Sequence, residues 1–163
     1  MKNKLACTLA LLPLLLLCTC TRQTIFSEYH SLPRNGWNAD SAICFTFAAP
    51  DTVGNYDIIV SIRHTQQYPY QNMWLFVGQT SAQQLTDSAV QQRTDTIEFY
   101  LADERGRWLG NGYGNIREMP VLYQHDITFP STDTISLLIR HAMRENELHG
   151  IDKVGVQIVK SEE

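Results

Sequence analysis

Residues 56–63 read Tyr-Asp-Ile-Ile-Val-Ser-Ile-Arg, and they carry the clearest structural signal in the chain. Large apolar side chains recur at every second position, at Tyr56, Ile58, Val60 and Ile62. Successive side chains of a β-strand point to opposite faces of a sheet, so a period of two indicates a strand with one face in a core. This stretch therefore predicts a half-buried β-strand.

The same alternation recurs on both sides of this stretch. The further candidate strands are 26–29, 43–47, 74–77, 95–101, 123–129, 135–140 and 154–158. The run 74–77 is apolar on both faces, which is typical of a central strand. Seven or eight short strands separated by Gly, Pro and Asn predict an all-β sandwich or barrel, and of the two we expect a single antiparallel β-sandwich of the jelly-roll kind. One short helix is predicted near 141–148, before Gly150.

The bulk composition allows one domain and excludes some partners. The chain has 163 residues and a net charge of −4. Without Lys2 and Lys4, 11 basic residues remain against 17 acidic ones, a net charge of −6. No basic run is present, so we expect no nucleic-acid partner and no electrostatic attraction to anionic lipid. Attachment to a membrane would therefore require a covalent group.

The N-terminus predicts such a group. Lys2 and Lys4 precede an apolar run from Leu5 to Leu17, which is too short to span a bilayer and is typical of a signal peptide. The run ends in Leu-Cys-Thr-Cys, which favours lipid attachment at Cys20. The alternative is an ordinary secreted protein. We thus expect a signal peptide over 1–19, a lipidated Cys20 with a tether over 20–31 that ends in a first strand, and a β-sandwich over 32–163.

The chemistry-bearing residues do not form a familiar catalytic or metal-binding motif. The five histidines share no metal-ligand spacing, and no nucleophile, phosphate-loop or paired-cysteine motif occurs. We therefore assign no catalytic residue, no metal and no cofactor. Cys44 is the one thiol expected to remain free, and its place in an apolar stretch predicts a small buried side chain.

Two segments have an unusual aromatic content. The first contains Arg63 and the Tyr68-Pro69-Tyr70 turn, which could present a binding edge or pack its rings on the rim of the sandwich. The second places Trp108 and Tyr113 among four glycines. These two rings could form an exposed platform for a sugar or peptide, or the glycines could permit a close backbone approach. In both segments we favour the structural alternative, and we keep the side chains as candidate contacts.

Arg144 is the remaining candidate contact. It lies in the segment 140–155 and could pair with Glu145 or Asp152. A surface pair of this kind contributes only about 0–1 kcal/mol, so it would belong to the local architecture.

At these residues the chain resembles a known family, the gliding-motility lipoproteins of the GldH type found in Bacteroidetes. The shared features begin with Cys20 and extend nearly to Ile158. They are Tyr29, Leu32-Pro33, Gly36-Trp37, Arg63, Tyr68-Pro69-Tyr70, Asn72, 75–77, 95–99, 106–110, Phe129-Pro130, Met143-Arg144, Leu148, Gly150-Ile151 and Val154-Gly155.

The resemblance implies a non-enzymatic cell-envelope lipoprotein that works with other gliding-motility proteins and with the type IX secretion system. No catalytic residue is attached to this family, and members also occur in bacteria that do not glide. Residues 21–24, Thr-Arg-Gln-Thr, lack the acidic cluster that marks surface export in these bacteria, so we expect an outer-membrane anchor facing the periplasm. The alternative function is an envelope module that binds a glycan or peptide. A small-molecule ligand is not expected, and an envelope enzyme is the weakest hypothesis.

Overall fold

The structure is a computed structural model that describes residues 22–81, 94–129 and 133–162. The predicted signal peptide, Cys20 and the polar loop 83–92 lie outside these residues. Every regular element in the described ranges is a strand. They are β1 (Thr24–Ser31), β2 (Trp37–Asn38), β3 (Ile43–Ala48), β4 (Tyr56–Thr65), β5 (Asn72–Ser81), β6 (Thr94–Tyr100), β7 (Ile116–Ile127), β8 (Thr134–His141), β9 (Glu147–Leu148) and β10 (Ile151–Lys160).

The long strands form two antiparallel sheets. The first sheet has the order β1-β10-β4-β7, the second has the order β3-β8-β5-β6, and β2 pairs with β9 in a small third sheet. Eight strands remain when the short β2 and β9 are set aside. Counted along the chain, they stand in the order first, eighth, third and sixth in one sheet, and second, seventh, fourth and fifth in the other. This is the strand order of a jelly roll, a sandwich built from two Greek keys. The all-β sandwich predicted from the sequence is thus confirmed.

One core lies between the two sheets. Ile58, Val60 and Ile62 of β4 are completely buried, as the alternation in 56–63 predicted. Met73, Leu75 and Val77 of β5 are completely buried in the same cluster. Each such side chain contributes about 1.5–3 kcal/mol relative to an exposed one. The core therefore holds β4 and β5 in place. The opposite face of β4 is largely covered too, since Asp57 and Ser61 are also buried.

The two ends of β4 mark two opposite ends of the sandwich. β4 begins at Tyr56, which pairs with Lys160 of β10 and Ile127 of β7. We call this the proximal end, because β1 also begins there. β4 finishes at Thr65, which pairs with Ile116. We call this the distal end. Ten residues of strand separate the two ends by roughly 30 Å.

The predicted helix near 141–148 is wrong. His141 is the last residue of β8, and Glu147–Leu148 form β9, which pairs with Trp37–Asn38. The backbone N–H of Ala142 bonds to the carbonyl of Trp74, so the segment is bound to its neighbouring strands. These long-range partners satisfy the backbone groups that a helix would satisfy locally.

Three further features differ from the predictions made from the sequence: the start of the folded domain, the start of β7 and the exposure of Cys44. Residues 24–31 pair with β10 along their length, so the folded domain starts within the segment assigned to a tether. β7 begins at Ile116 and not near residue 123, because Pro120 obscures the pattern while an edge strand tolerates it. Cys44 is exposed, since Ile43 and Phe45 of β3 take the inward positions on either side of it.

Candidate functional site

The candidate contact residues fall into three places. The distal end of the core contains Tyr68 and Trp108. One surface pocket is lined by Tyr70 and Arg144. A groove on the first sheet is lined by Arg63 and Tyr113. The six come from three segments of the sequence, and the structure separates buried residues from surface residues among them.

Tyr68 is a core residue and not a contact residue. Its side chain is 2% exposed, and its hydroxyl donates to the carbonyl of Asn72 at 2.7 Å. Trp108 is half-buried, with its ring centroid 4.6 Å from that of the buried His64. The glycine-rich segment therefore uses its tryptophan to close the distal end of the core, which is the structural alternative favoured from the sequence.

Tyr70 and Arg144 lie beside the second sheet, in the connections that precede β5 and follow β8. With Trp74 and Met143 they line a pocket of about 520 Å³. The Tyr70 hydroxyl donates to the carboxylate of Glu145, and this bond is the largest cause that raises the pKa of Tyr70. Arg144 forms no ion pair within the described ranges, so the pairing expected with Glu145 or Asp152 is absent there.

The glycine-loop groove contains two candidate residues, Arg63 and Tyr113, and Tyr113 has the most exposed ring of the described aromatic residues. It is an open groove of about 640 Å³ between the outer face of β7 and the loop 110–114. Tyr113 is 95% exposed at its edge, which leaves nearly the whole ring available to a partner. The lining consists of Arg63, Asn111, Gly112, Tyr113, Ile116, Glu118 and Pro120.

The glycines create this groove by allowing two backbones to touch. Asn111 exchanges both backbone hydrogen bonds with Glu118, at 3.0 and 2.7 Å. A Cβ atom on Gly110 would lie 2.2 Å from the carbonyl oxygen of Glu118, and one on Gly112 would lie 2.1 Å from that of Ile116. No other residue type fits at such distances. The close approach proposed from the sequence is confirmed.

A hydrogen-bonded cluster forms the floor of the groove. Arg63 of β4 donates from Nε to Glu118 Oε2 at 3.0 Å and from Nη2 at 2.5 Å. The hydroxyl of Tyr29 donates to Glu118 Oε1 at 2.7 Å, and the Arg63 guanidinium lies 5.5 Å from the Tyr29 ring centroid. Both carboxylate oxygens are thereby occupied. The cluster holds its members in fixed positions, which suits recognition better than proton transfer.

The electrostatics of this cluster follow from the pairing. Burial opposes ionisation of Glu118, but the hydrogen bonds from Tyr29 and Arg63 and the charge of Arg63 outweigh it and lower the pKa of Glu118. The same hydrogen bond to Glu118 raises the pKa of Arg63. The pKa of Tyr29 is raised, mainly by burial and by its bond to Glu118. Glu118 and Arg63 are therefore a charged pair at neutral pH.

Tyr29 crosses two strands to reach Glu118. It pairs with Gly155 in the register of β1 and β10, and Gly155 pairs in turn with Ser61 of β4. Because Gly155 has no side chain, the Tyr29 ring can lie directly over it. Sequence reasoning did not select Tyr29 or Glu118 as site residues. They are 89 residues apart in the sequence, and no local sequence pattern indicates that they are in contact.

A second exposed aromatic surface lies on the outer face of the second sheet. Trp74, Phe76 and Tyr100 are 37%, 36% and 59% exposed, and Arg140 stacks over Phe76 at 5.9 Å. The run 74–77 was predicted to be central, and β5 is an inner strand of its sheet. This surface lies on the opposite sheet from the glycine-loop groove.

The described residues hold no group of three or more metal-ligating side chains. Among them, too, no helix is long and apolar enough to cross a bilayer.

Fold and surface together describe a sandwich domain that offers aromatic and charged side chains for contact. Comparison with known proteins identifies the family. Residues 24–158 match the GldH lipoprotein family, and the chain belongs to it. It is 30% identical to the gliding motility lipoprotein GldH of Flavobacterium johnsoniae over 155 residues, which cover 91% of this chain and 92% of that protein.

A second relative agrees with this family, whereas similarity to a solved structure does not extend the assignment. The chain is 28% identical over 169 residues to a gliding motility lipoprotein GldH homolog of Christiangramia forsetii, with 99% of both chains covered. Among solved structures, a family GH115 4-O-methyl-α-glucuronidase matches 86% of this chain with 13% identity and a TM-score of 0.40. This chain spans 18% of that enzyme's length.

Proposed function

We propose that the protein is a non-enzymatic lipoprotein that is anchored to the outer membrane through Cys20, faces the periplasm and docks on the gliding-motility and type IX secretion machinery. The observation that carries this proposal is the family match over residues 24–158, which follows the predicted lipid-attachment sequence. The relatives are named as gliding motility lipoproteins and not as enzymes.

The glycine-loop groove is the proposed docking surface. Tyr113 offers a large ring without loss of folding energy, because it is already exposed. Aromatic residues and arginine are enriched at protein interfaces, and Arg63 is held in a fixed position by Glu118. Nη1 of Arg63 has no hydrogen-bond partner in the described part of the chain and can donate to a partner's backbone carbonyl.

Site-specific photo-cross-linking in intact cells tests the docking. A photoreactive residue replaces Tyr113 in one strain and Tyr100, on the second sheet, in a matched control strain. We expect the Tyr113 strain to capture a motility or secretion protein, identified by mass spectrometry, and the Tyr100 strain to capture none. Capture of the same proteins from both positions would remove the groove as the specific contact.

The anchor and its orientation need a separate measurement. Mass spectrometry of the N-terminal peptide should show a lipid on Cys20, and fractionation should place the protein in the outer membrane. Protease treatment of intact cells should leave the domain uncut. Removal of the domain by external protease would contradict the periplasmic orientation.

The second candidate is a module that binds a glycan or a peptide in the same groove. The exposed Tyr113 ring beside Asn111 and Arg63 favours it, since aromatic faces and amide groups both suit sugars. Calorimetric titration with peptidoglycan fragments and envelope glycans distinguishes the two candidates. Binding that is lost in Tyr113→Ala would favour this candidate.

A further inference from the structure

The chain is fixed to the sandwich from its first described residue. Nη1 of Arg22 lies 3.2 Å from Oδ2 of Asp57, and Nε lies 3.1 Å from a carboxylate oxygen of Glu162. The backbone N–H of Lys160 donates to the carbonyl of Gln23 at 2.9 Å, and β1 begins one residue later. No free tether therefore exists between Arg22 and the domain.

Asp57 is the centre of this attachment. Its side chain is completely buried, and Oδ1 accepts hydrogen bonds from the Ser161 hydroxyl at 2.6 Å, the Asp126 N–H at 3.0 Å and His125 Nδ1 at 2.8 Å. Burial alone would raise the pKa of Asp57, but these bonds and the charge of His125 hold it below its usual value. An ionised, buried carboxylate strongly requires a cation, and Arg22 supplies one.

A rigid loop at the same end presents an apolar side chain. Oδ1 of Asp51 accepts from the backbone N–H groups of Val53 and Gly54, at 3.0 and 2.6 Å, and Oδ2 accepts from the Tyr56 hydroxyl at 2.7 Å. The carbonyl of Asn55 accepts from the Ser161 N–H at 2.9 Å. Val53, at the tip of this loop, is 88% exposed.

Covalent geometry now limits where the proximal end can lie. Only Thr21 separates Cys20 from Arg22. Two peptide units span at most about 7 Å, so the Cα atom of Cys20 is within that distance of the Cα atom of Arg22. We propose that the proximal end of the sandwich rests directly on the lipid headgroups, with Val53 inserted among them. This inference rests on the proposed lipidation of Cys20.

The charges at this end match a contact that depends on the covalent lipid. Its surface mixes Arg22 and Lys160 with Asp51, Asp126 and Glu162. Such a mixture exerts little net attraction on anionic lipid, whereas an acyl group on the adjacent cysteine holds the surface in place. The distal end and the glycine-loop groove then project into the periplasm, roughly 30 Å from the headgroups.

A fluorescence experiment on the lipidated full chain tests this orientation. In a Cys44→Ser background, Val53→Cys or Tyr113→Cys carries an environment-sensitive fluorophore; both positions are highly exposed, so the label disturbs no packing. The protein is reconstituted in vesicles of phosphatidylethanolamine and phosphatidylglycerol that contain a lipid with a nitroxide headgroup. We expect the label at position 53 to shift to shorter wavelength and lose emission, and the label at position 113 to do neither.

Each alternative outcome is decisive. Equal quenching at both positions, or none at position 53 on vesicles that carry the protein, overturns the orientation while the proposed lipidation stands. Mass spectrometry that finds no lipid on Cys20 overturns both the anchoring and this inference. A Gly-Ser linker inserted between Thr21 and Arg22 is the matched variant: it keeps the lipid and should reduce the quenching at position 53.

Discussion

Gly155→Ala probes the contact that holds the cluster beneath the groove. A Cβ atom on Gly155 would lie 2.4, 2.5 and 2.8 Å from Cε1, Cδ1 and Cζ of Tyr29. The three nearest atoms thus belong to one ring. That ring cannot move freely, because its hydroxyl is bonded to Glu118 and its face is covered by Arg63.

The magnitude follows from the two ways in which the clash can be relieved. Compressing the ring against its neighbours costs about 1–3 kcal/mol. Swinging Tyr29 away breaks its bond to a charged partner, which contributes about 1.5–3 kcal/mol. Alanine is favoured over glycine in a strand by about 0.5–1 kcal/mol. We therefore expect Gly155→Ala to lower the free energy of unfolding by about 1–2 kcal/mol.

The same substitution should have the opposite sign when the ring is absent. In a Tyr29→Ala background only the backbone preference remains, so Gly155→Ala should stabilise by about 0.5–1 kcal/mol. Tyr29→Phe keeps the ring but removes the bond that holds it over Gly155, so the destabilisation by Gly155→Ala should be smaller there than in the native background. Urea unfolding of the single and double variants, followed by tryptophan fluorescence, gives the coupling energy directly. A similar loss in the Tyr29→Ala background would refute the assignment of the clash to this ring.

Further predictions concern the aromatic residues, the histidines and the glycine loop. Trp108→Ala should destabilise the protein by about 2–4 kcal/mol in urea unfolding, whereas Tyr113→Ala should change stability by less than about 0.5 kcal/mol; the reverse order would contradict the assigned burial. Burial lowers the pKa values of His64 and His141, so the unfolded chain binds more protons below pH 6.5. Stability should therefore be fully present above about pH 6.5 and fall as the pH drops below it, by up to about 1.4 kcal/mol per pH unit for each histidine; a flat profile just below pH 6.5 would show that they ionise equally well in the folded protein. Gly110→Ala should destabilise by more than about 2 kcal/mol, because its Cβ would meet the backbone of β7, and hydrogen exchange should show that the loop has detached.

The sequence predicted the parts of the fold that depend on local alternation. Ile135, Leu137 and Ile139 mark β8 as plainly as Tyr56–Ile62 mark β4, and both are buried as expected. β7 was found only in its second half, because Pro120 and the glycines before it hide the period. The helix near residue 141 was predicted because Gly150 could serve as a helix stop. Gly150 instead has a positive φ of 85° in the turn between β9 and β10, and tertiary hydrogen bonds hold the segment before it.

The candidate site was predictable only in part. Arg63 and Tyr113 were selected for their residue types, and the glycines correctly indicated a close backbone approach. Their partner Glu118 was not selected, because it is 55 residues from Arg63 and its neighbours in sequence give no sign of it. Burial separated Tyr68 and Trp108 from the true surface residues, and no single sequence reveals which ring of an aromatic cluster faces inward.

The pairing of β1 with β10 determines how the domain would respond to mechanical load. The hydrogen bonds of an antiparallel ladder lie across the strands. A force applied between Arg22 at the proximal end and Tyr113 at the distal end runs along β1, so the seven registered pairs from Thr24 to Ser31 share it in shear. A force between Arg22 and Glu162 would instead peel the two strands apart one pair at a time, since both residues lie at the same end. The proposed lipid at Cys20 and the proposed partner in the groove would thus load the sandwich in its stronger direction, so that the domain would resist unfolding when the two are pulled apart.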